Sequence, residues 1–333
     1  MRWGKAVGGA AMGGAAVGAA ALYNAAAARN ALPLESPLGG ERGEILWRGH
    51  RVAFSRHGTG SPVVLVHGIH AGASSFEWRH TVPALAKRHT VIALDLLGFG
   101  CSARPELRYT ASLYQALLGD VLARLVSEPA AVVASALSAA HVLALAARDP
   151  RRVGALVLVA PTGVSQLRDA GGGAQNTMQL LLEAPLVGTA AYNGLTSPAS
   201  VRRVLEQTYA DDRLVTPELV DWYVRAARQP GGKHAVAAFV GGRLNTDVRG
   251  ALRRARQPML LLWGEQARLN PVQNAHAFRV LRPEMAWSLI PKSGDLPHDE
   301  RPELVNAAVL RFLARMAGGA QDTVARSPAR TLA

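Results

Sequence analysis

One cysteine in 333 residues, Cys101, rules out an internal disulfide and a thiolate metal cluster as staples of the fold. Aromatic residues are scarce at 5% and charged residues reach only 18%, while 49% of the chain is hydrophobic. That is too apolar for a disordered chain, and the sequence lacks the triplet or heptad periods of collagen and coiled coils. No nucleotide or metal signature appears. The glycine run at 171–173 is not followed by a strand-turn-helix phosphate cradle, so no cofactor is expected. The formal net charge is +13, yet the basic residues are spread along the chain and no nucleic-acid motif accompanies them. The excess implies attraction to anionic surfaces such as a membrane face, and no nucleic-acid partner is expected.

Residues 1–29 differ in material from the rest. No charge occurs from Ala6 to Ala28, Gly and Ala dominate, and Gly9/Gly13 and Gly14/Gly18 have the GxxxG spacing of close-packed membrane helices. The stretch is long enough to span a bilayer, and membrane association through it is the expected localisation. A flexible Gly/Ala leader and a cleavable secretory signal are the competing readings. Residues 30–44, with Pro33, Pro37 and Gly39-Gly40, read as a linker, and 317–333 as an unstructured polar tail.

Between these ends, short apolar runs alternate with helical periods, the pattern of an α/β protein with a mostly parallel sheet. Ile45–Phe54 reads as a hairpin arm. Val63–Val66, Val91–Leu94, Ala131–Ala134, Leu156–Val159, Met259–Trp263 and Trp287–Ile290 read as strands. The last helix, Pro302 to Met316, places Val305, Val309 and Phe312 on one face. Nearly a hundred residues separate the strands at 156–159 and 259–263 and show helical periods only, so 161–257 reads as a helical cap inserted between 45–160 and 258–316.

Three segments carry a resemblance: VVLVHGIHAGASSFEW after the first core strand, VIALDLLGFGCS at Val91–Ser102, and SGDLPHDERPELV at Ser293–Val305. With the strand order and the insertion, they are similar to the capped α/β-hydrolase superfamily, in its lipase, epoxide-hydrolase and haloperoxidase-like branch. The resemblance covers residues 45–315. It implies an oxyanion hole after the first core strand, a nucleophile elbow, an acid, a histidine and a pocket under the cap.

Carried over position by position, the three catalytic roles fall on unsuitable residues. Counting forward from Pro129 and back from Pro150 puts the nucleophile at Ala136, within Ser135-Ala136-Leu137-Ser138-Ala139. The acid of a WGExDxxxP pattern falls on Ala267 in Trp263–Pro271, with Glu265 two residues early. The base of a GHxPHxE pattern falls on Asp295, and His298 matches the second histidine. An alanine cannot attack carbon, and a carboxylate cannot replace an imidazole as base, donor and oriented cation in one cycle. A register slip of two would make Ser138 the nucleophile, with His298 as its partner. His67, Gly68, Ile69, His70 and Leu137 are the expected ligand-binding residues of the oxyanion loop and elbow, through backbone N–H groups that need no particular side chain. Asp95 reads as a turn brace, Cys101 as a small buried residue, and Trp222 and Tyr223 as core or pocket lining.

The resemblance therefore implies a pseudoenzyme that keeps a capped apolar pocket for a hydrophobic small molecule or a partner. The alternative is an ester- or epoxide-type hydrolase using Ser138 with His298.

Overall fold

The computed structural model describes residues 18–27, 33–164 and 173–325. Eight strands form one sheet: β1 (Glu41–Trp47), β2 (His50–His57), β3 (Pro62–Val66), β4 (Thr90–Leu94), β5 (Ala130–Ser135), β6 (Val153–Val159), β7 (Met259–Gly264) and β8 (Ala286–Ile290). Their order is β1-β2-β4-β3-β5-β6-β7-β8, antiparallel at β1–β2 and β2–β4 and parallel from β4 to β8. The α/β architecture expected from the sequence, a mostly parallel sheet flanked by helices, is the one found.

The period of two along each strand builds two apolar layers. Val64, Val66, Ile92, Leu94, Val132, Ala134, Leu156 and Leu158 face one side, beneath α2 (Ala111–Leu125) and α3 (Ala136–Arg148). Val63, Leu65, Val91, Ala93, Val133, Val157 and Leu262 face the other, where the short α1 (Val82–Leu85) and the last helix supply Leu85, Val305, Val309 and Phe312. Strands buried on both faces explain why they read as continuous apolar runs.

Between β6 and β7 the described chain is helical: α4 (Gly173–Glu183), α5 (Val187–Leu195), α6 (Pro198–Thr208), α7 (Pro217–Ala227), α8 (Gly232–Val240) and α9 (Arg249–Arg254). Sequence sets their starts. Ser197 and Thr216 each accept a backbone N–H three residues on, with Pro198 and Pro217 opening the first turn. Val201, Leu205, Tyr209, Leu219, Val220 and Tyr223 make a small cap core that reaches the base through Leu296 and Phe76. After β7 follow α10 (Gln273–Leu281), α11 (Pro297–Glu300) and α12 (Pro302–Ala325).

Three boundaries differ from the sequence reading. Ile45–Phe54, read as one hairpin arm, spans the end of β1, the turn at 48–49 and the first part of β2. Strand β1 begins at Glu41, inside the stretch read as linker, and pairs Glu41↔Arg56 through Trp47↔His50. It is an edge strand whose first two residues and Glu44 face solvent, so hydropathy shows nothing before Ile45. Helix α12 continues to Ala325, past the Met316 end read from its apolar face, because the added residues carry no apolar stripe to announce them. Of the N-terminal segment, residues 18–27 are helical and Ala27 is buried; 1–17, 28–32 and 326–333 lie outside the described residues. No helix among the described residues is long and apolar enough to cross a membrane.

One core position carries a measurable cost. His141 on α3 is fully buried against Tyr114, at 5.8 Å between ring centroids, and neither ring nitrogen has a hydrogen-bond partner among the described residues. Burial pushes its pKa from 6.5 down to about 4. The folded state thus favours the neutral ring, so stability is intact above pH 6.5 and falls as the pH drops toward 4. The gap corresponds to about 3 kcal/mol. His141→Phe is expected to flatten the pH dependence of the denaturant midpoint across that window; an unchanged slope would refute the assignment.

Candidate functional site

Strand β5 passes into α3 without a loop, and the turn is made at Ala136, whose φ is +47°. A left-handed alanine costs about 1–2 kcal/mol, so the surroundings must hold it. The Ala136 carbonyl accepts from Thr162 N at 3.3 Å. From the other side, the loop after β3 presses Gly68 against the turn. A Cβ built on Gly68 would lie 3.1 Å from Ser135 Oγ and 3.7 Å from Ala136 Cβ, so a larger residue has little room. The turn thus sits at the carboxyl ends of neighbouring parallel strands, beside the point where the chain switches from β4 across to β5.

A carboxylate that sequence reasoning passed over organises this corner. Glu77, in the 3₁₀ turn Ser75–Trp78, is buried. It accepts from Gly68 N at 2.9 Å and from the Ser135 hydroxyl, and His298 Nε2 lies 3.0 Å from its Oε1. Burial alone would raise its pKa, but His298, His70 and the Ser135 hydrogen bond hold it down at about 2. The available signal was a lone acid in the segment Ala73–Trp78, otherwise small, hydroxylated or aromatic.

The expected ligand-binding residues are placed as follows. His67 is a buried strut: Nε2 accepts from Leu96 N at 3.0 Å and Nδ1 donates to the Gly68 carbonyl at 2.6 Å. Ile69 and Leu137 are buried apolar side chains. His70 stacks on Tyr223 of α7, at 5.6 Å and 11° between planes, and burial lowers its pKa. Next to it Trp222 stacks on Phe76 and donates from Nε1 to Ser74 Oγ at 3.2 Å. The cap helix α7 therefore rests directly on the loop that follows β3.

Asp295 and Ala267 meet at the opposite wall. Gly264, ending β7, lies so close to the 293–294 backbone that a Cβ there would sit 1.9 Å from the Gly294 carbonyl oxygen. That contact brings the loop after β7 beside Asp295, whose carboxylate accepts from the backbone N–H groups of Arg268, Leu269 and Asn270 at 3.0, 3.0 and 2.7 Å. Ala267 is buried in the same loop, while Glu265 is exposed and accepts from Lys292 N. His298 is buried with its ring 4.4 Å from that of Trp78. Ser138 lies in the first turn of α3, buried, and its hydroxyl has no hydrogen-bond partner among the described residues, so the pair Ser138 and His298 is not joined by a hydrogen bond. Asp95 braces two turns by accepting from Ser75 N and Cys101 N, and burial pushes the Cys101 thiol up to about 12, which removes it as a nucleophile near neutral pH.

A cleft of about 780 Å³ opens between α7 and the base. Its lining is mixed where the sequence reading expected an apolar pocket: Phe76, Leu219 and Trp222 supply the apolar wall, and Arg79, Arg213, Arg225, Glu218 and Asp221 the polar one. At its floor Asp299 pairs with Arg79 at 2.7 Å and accepts from the Tyr209 hydroxyl. Neither Ala136 nor the expected oxyanion-loop residues line it.

Comparison with known proteins agrees with the fold. The profile of the family described as alpha/beta hydrolase fold matches residues 61–302. The chain is 32% identical over 253 residues to 2-hydroxymuconate semialdehyde hydrolase of Pseudomonas sp. (strain CF600), covering 73% of this chain and 82% of that protein. An alpha/beta hydrolase fold protein from Burkholderia ambifaria superimposes with a TM-score of 0.68 at 26% identity, over 84% of this chain and 98% of that one. A serine hydrolase involved in carbazole degradation gives 0.70 at 24% identity, over 83% and 99%.

Two stability measurements probe the corner. Because Gly populates the left-handed region freely, Ala136→Gly is expected to be neutral or to stabilise by up to about 1 kcal/mol, whereas Ala139→Gly inside α3 should cost about 1 kcal/mol. Equal losses at both positions in urea unfolding would contradict the strain at Ala136. Removing the buried acid by Glu77→Ala is expected to cost about 3 kcal/mol or more at pH 7 by leaving its partners unpaired. The folded pKa of Glu77 lies below 4.5, so its contribution is full above that pH and disappears as the pH falls toward 2. The difference between wild type and Glu77→Ala should therefore shrink across that window.

Proposed function

The chain belongs to the α/β-hydrolase family, and we propose that it is a member without a hydrolytic triad, a pseudoenzyme that binds a hydrophobic small molecule or a partner. Ala136 carries the reading. In this fold the left-handed turn between strand and helix presents the attacking side chain, and here the residue with φ of +47° at the end of β5 offers a methyl group. Two further observations support it. Ala267 stands in the loop after β7, and the carboxylate of Asp295, across from it, is taken up by three backbone N–H groups. A catalytic imidazole and its orienting acid are thereby replaced by a backbone fastener. The ligand site that fits best is the cleft of about 780 Å³ under α7, where the Phe76–Trp222 stack offers an aromatic wall to an apolar ligand.

A second reading is hydrolysis through Ser138. Its support is a buried hydroxyl without a partner, two residues beyond the turn, together with relatives named as hydrolases of 2-hydroxymuconate semialdehyde and of meta-cleavage products. For a triad acting as a unit, loss of the nucleophile alone costs on the order of a million-fold in kcat, so the two readings differ by far more than assay scatter.

Wild-type protein is expected to leave short and long acyl esters, an epoxide and 2-hydroxymuconate semialdehyde unhydrolysed, with Ser138→Ala indistinguishable from it and no labelling by a fluorophosphonate. Turnover that Ser138→Ala abolishes would assign the second reading. Turnover gained by Ala136→Ser combined with Ala267→Asp and Asp295→His would support the assignment of the three positions.

A further inference from the structure

Among the described residues, about half of the large apolar side chains exposed to solvent lie on one part of the cap and on the N-terminal helix beside it. Leu22 is 75% exposed, Leu180 68%, Leu195 54% and Val187 50%, with Leu181 and Leu186 beside them. These residues lie on three helices that touch, residues 18–27, α4 and α5, with Leu186 at the entry to α5. Asn24 Nδ2 donates to the Leu186 carbonyl at 2.9 Å, Asn193 Nδ2 donates to Asn24 Oδ1 at 3.0 Å, and a Cβ on Gly188 would lie 2.4 Å from the Leu181 carbonyl. The sequence around them is nearly free of charge. Between Asp169 and Arg202 the one charged residue is Glu183, which is paired with Arg243, and the N-terminal helix belongs to the uncharged stretch Ala6–Ala28. Solvent-facing leucines in two uncharged segments that meet form a patch of the kind that marks an interaction surface.

The border of the patch identifies its partner. Where the N-terminal helix meets the cap, a cleft of about 190 Å³ is lined by Arg228, Lys233 and His234 together with Asn24 and Asn193 and, among the described residues, by no carboxylate. Cationic groups beside an exposed apolar face match an anionic lipid surface, with acyl chains under the leucines and headgroup phosphates at the guanidinium and ammonium groups. The net charge of +13 acts in the same direction over longer range. We propose that the face formed by residues 18–27, α4 and α5 docks on the surface of an anionic bilayer without crossing it. The cap is then the membrane-facing side of the protein and the sheet is held away from the lipid. This assignment does not depend on whether the site described above turns over a substrate.

Flotation of the full-length protein with vesicles tests it, comparing phosphatidylcholine alone with phosphatidylcholine containing about a third phosphatidylglycerol. Wild type is expected to float with the anionic vesicles. Leu180→Asp combined with Val187→Asp, both at exposed positions, should lower the bound fraction by about tenfold or more. Arg228→Gln combined with Lys233→Gln should remove the preference for phosphatidylglycerol. Wild type that stays with the soluble fraction, or the aspartate variant floating as wild type does, would overturn the proposal. A concentration-dependent dimer by light scattering that dissociates in the aspartate variant, with no vesicle binding, would overturn it also and assign the face to a second copy of the chain. Unchanged thermal melting of the variants identifies any loss as one of contact rather than of folding.

Discussion

A negative charge removed from water must be met by donors, and the corner around Glu77 is built to meet one. Its two oxygens draw together the N–H of Gly68 after β3, the hydroxyl of Ser135 at the end of β5 and the imidazole of His298 in α11. Each comes from a different stretch of chain. With those partners fixed, the Gly68 loop is pressed onto the turn at Ala136, and Trp78 is set against His298. The cap follows, since Phe76 in the same 3₁₀ turn and Ser74 just before it hold Trp222 of α7. A buried unpaired carboxylate would be far costlier than a vacant apolar site, so the donors and the acid stand or fall together.

The opposite wall shows how one side-chain type can hold the geometry that another type would use for chemistry. Asp295 ties the loop 268–270 to the turn after β8 by three hydrogen bonds, and Glu300 completes the turn by accepting from Gly294 N and Ala210 N. A carboxylate suits this purpose because it can accept several N–H groups at once, which a singly protonated imidazole cannot. On the proposed reading, the end of the sheet has exchanged a proton-transfer relay for a set of fasteners while the backbone course remained that of the family.

The parallel strands were legible because burial on both faces leaves unbroken apolar runs such as Val63–Val66 and Met259–Trp263. The cap was legible by length and period, as Val201 and Leu205 show on α6. What escaped was whatever depends on partners distant in sequence. Strand β1 starts at Glu41 because β2 pairs with it, not because its own residues are apolar. Glu77 looks like an ordinary acid until the fold brings Gly68, Ser135 and His298 to it. Asp295 read as a misplaced base because its three partners, Arg268 to Asn270, offer only backbone, which no side-chain pattern reports. The mixed charge of the cleft escaped for the same reason, its acids and arginines coming from separated segments.

The fastenings have a direction in time as well as in space. Arg79 is bonded to Asp299 across 220 residues, and Glu77 waits for His298. A chain emerging from the ribosome has made β3, β4 and β5 long before those partners leave the exit tunnel. Until then Glu77 has only Gly68 N and the Ser135 hydroxyl of its folded-state partners within the synthesised chain. The partners that complete this corner, His298 and Asp299, thus arrive with α11 and near the end of synthesis.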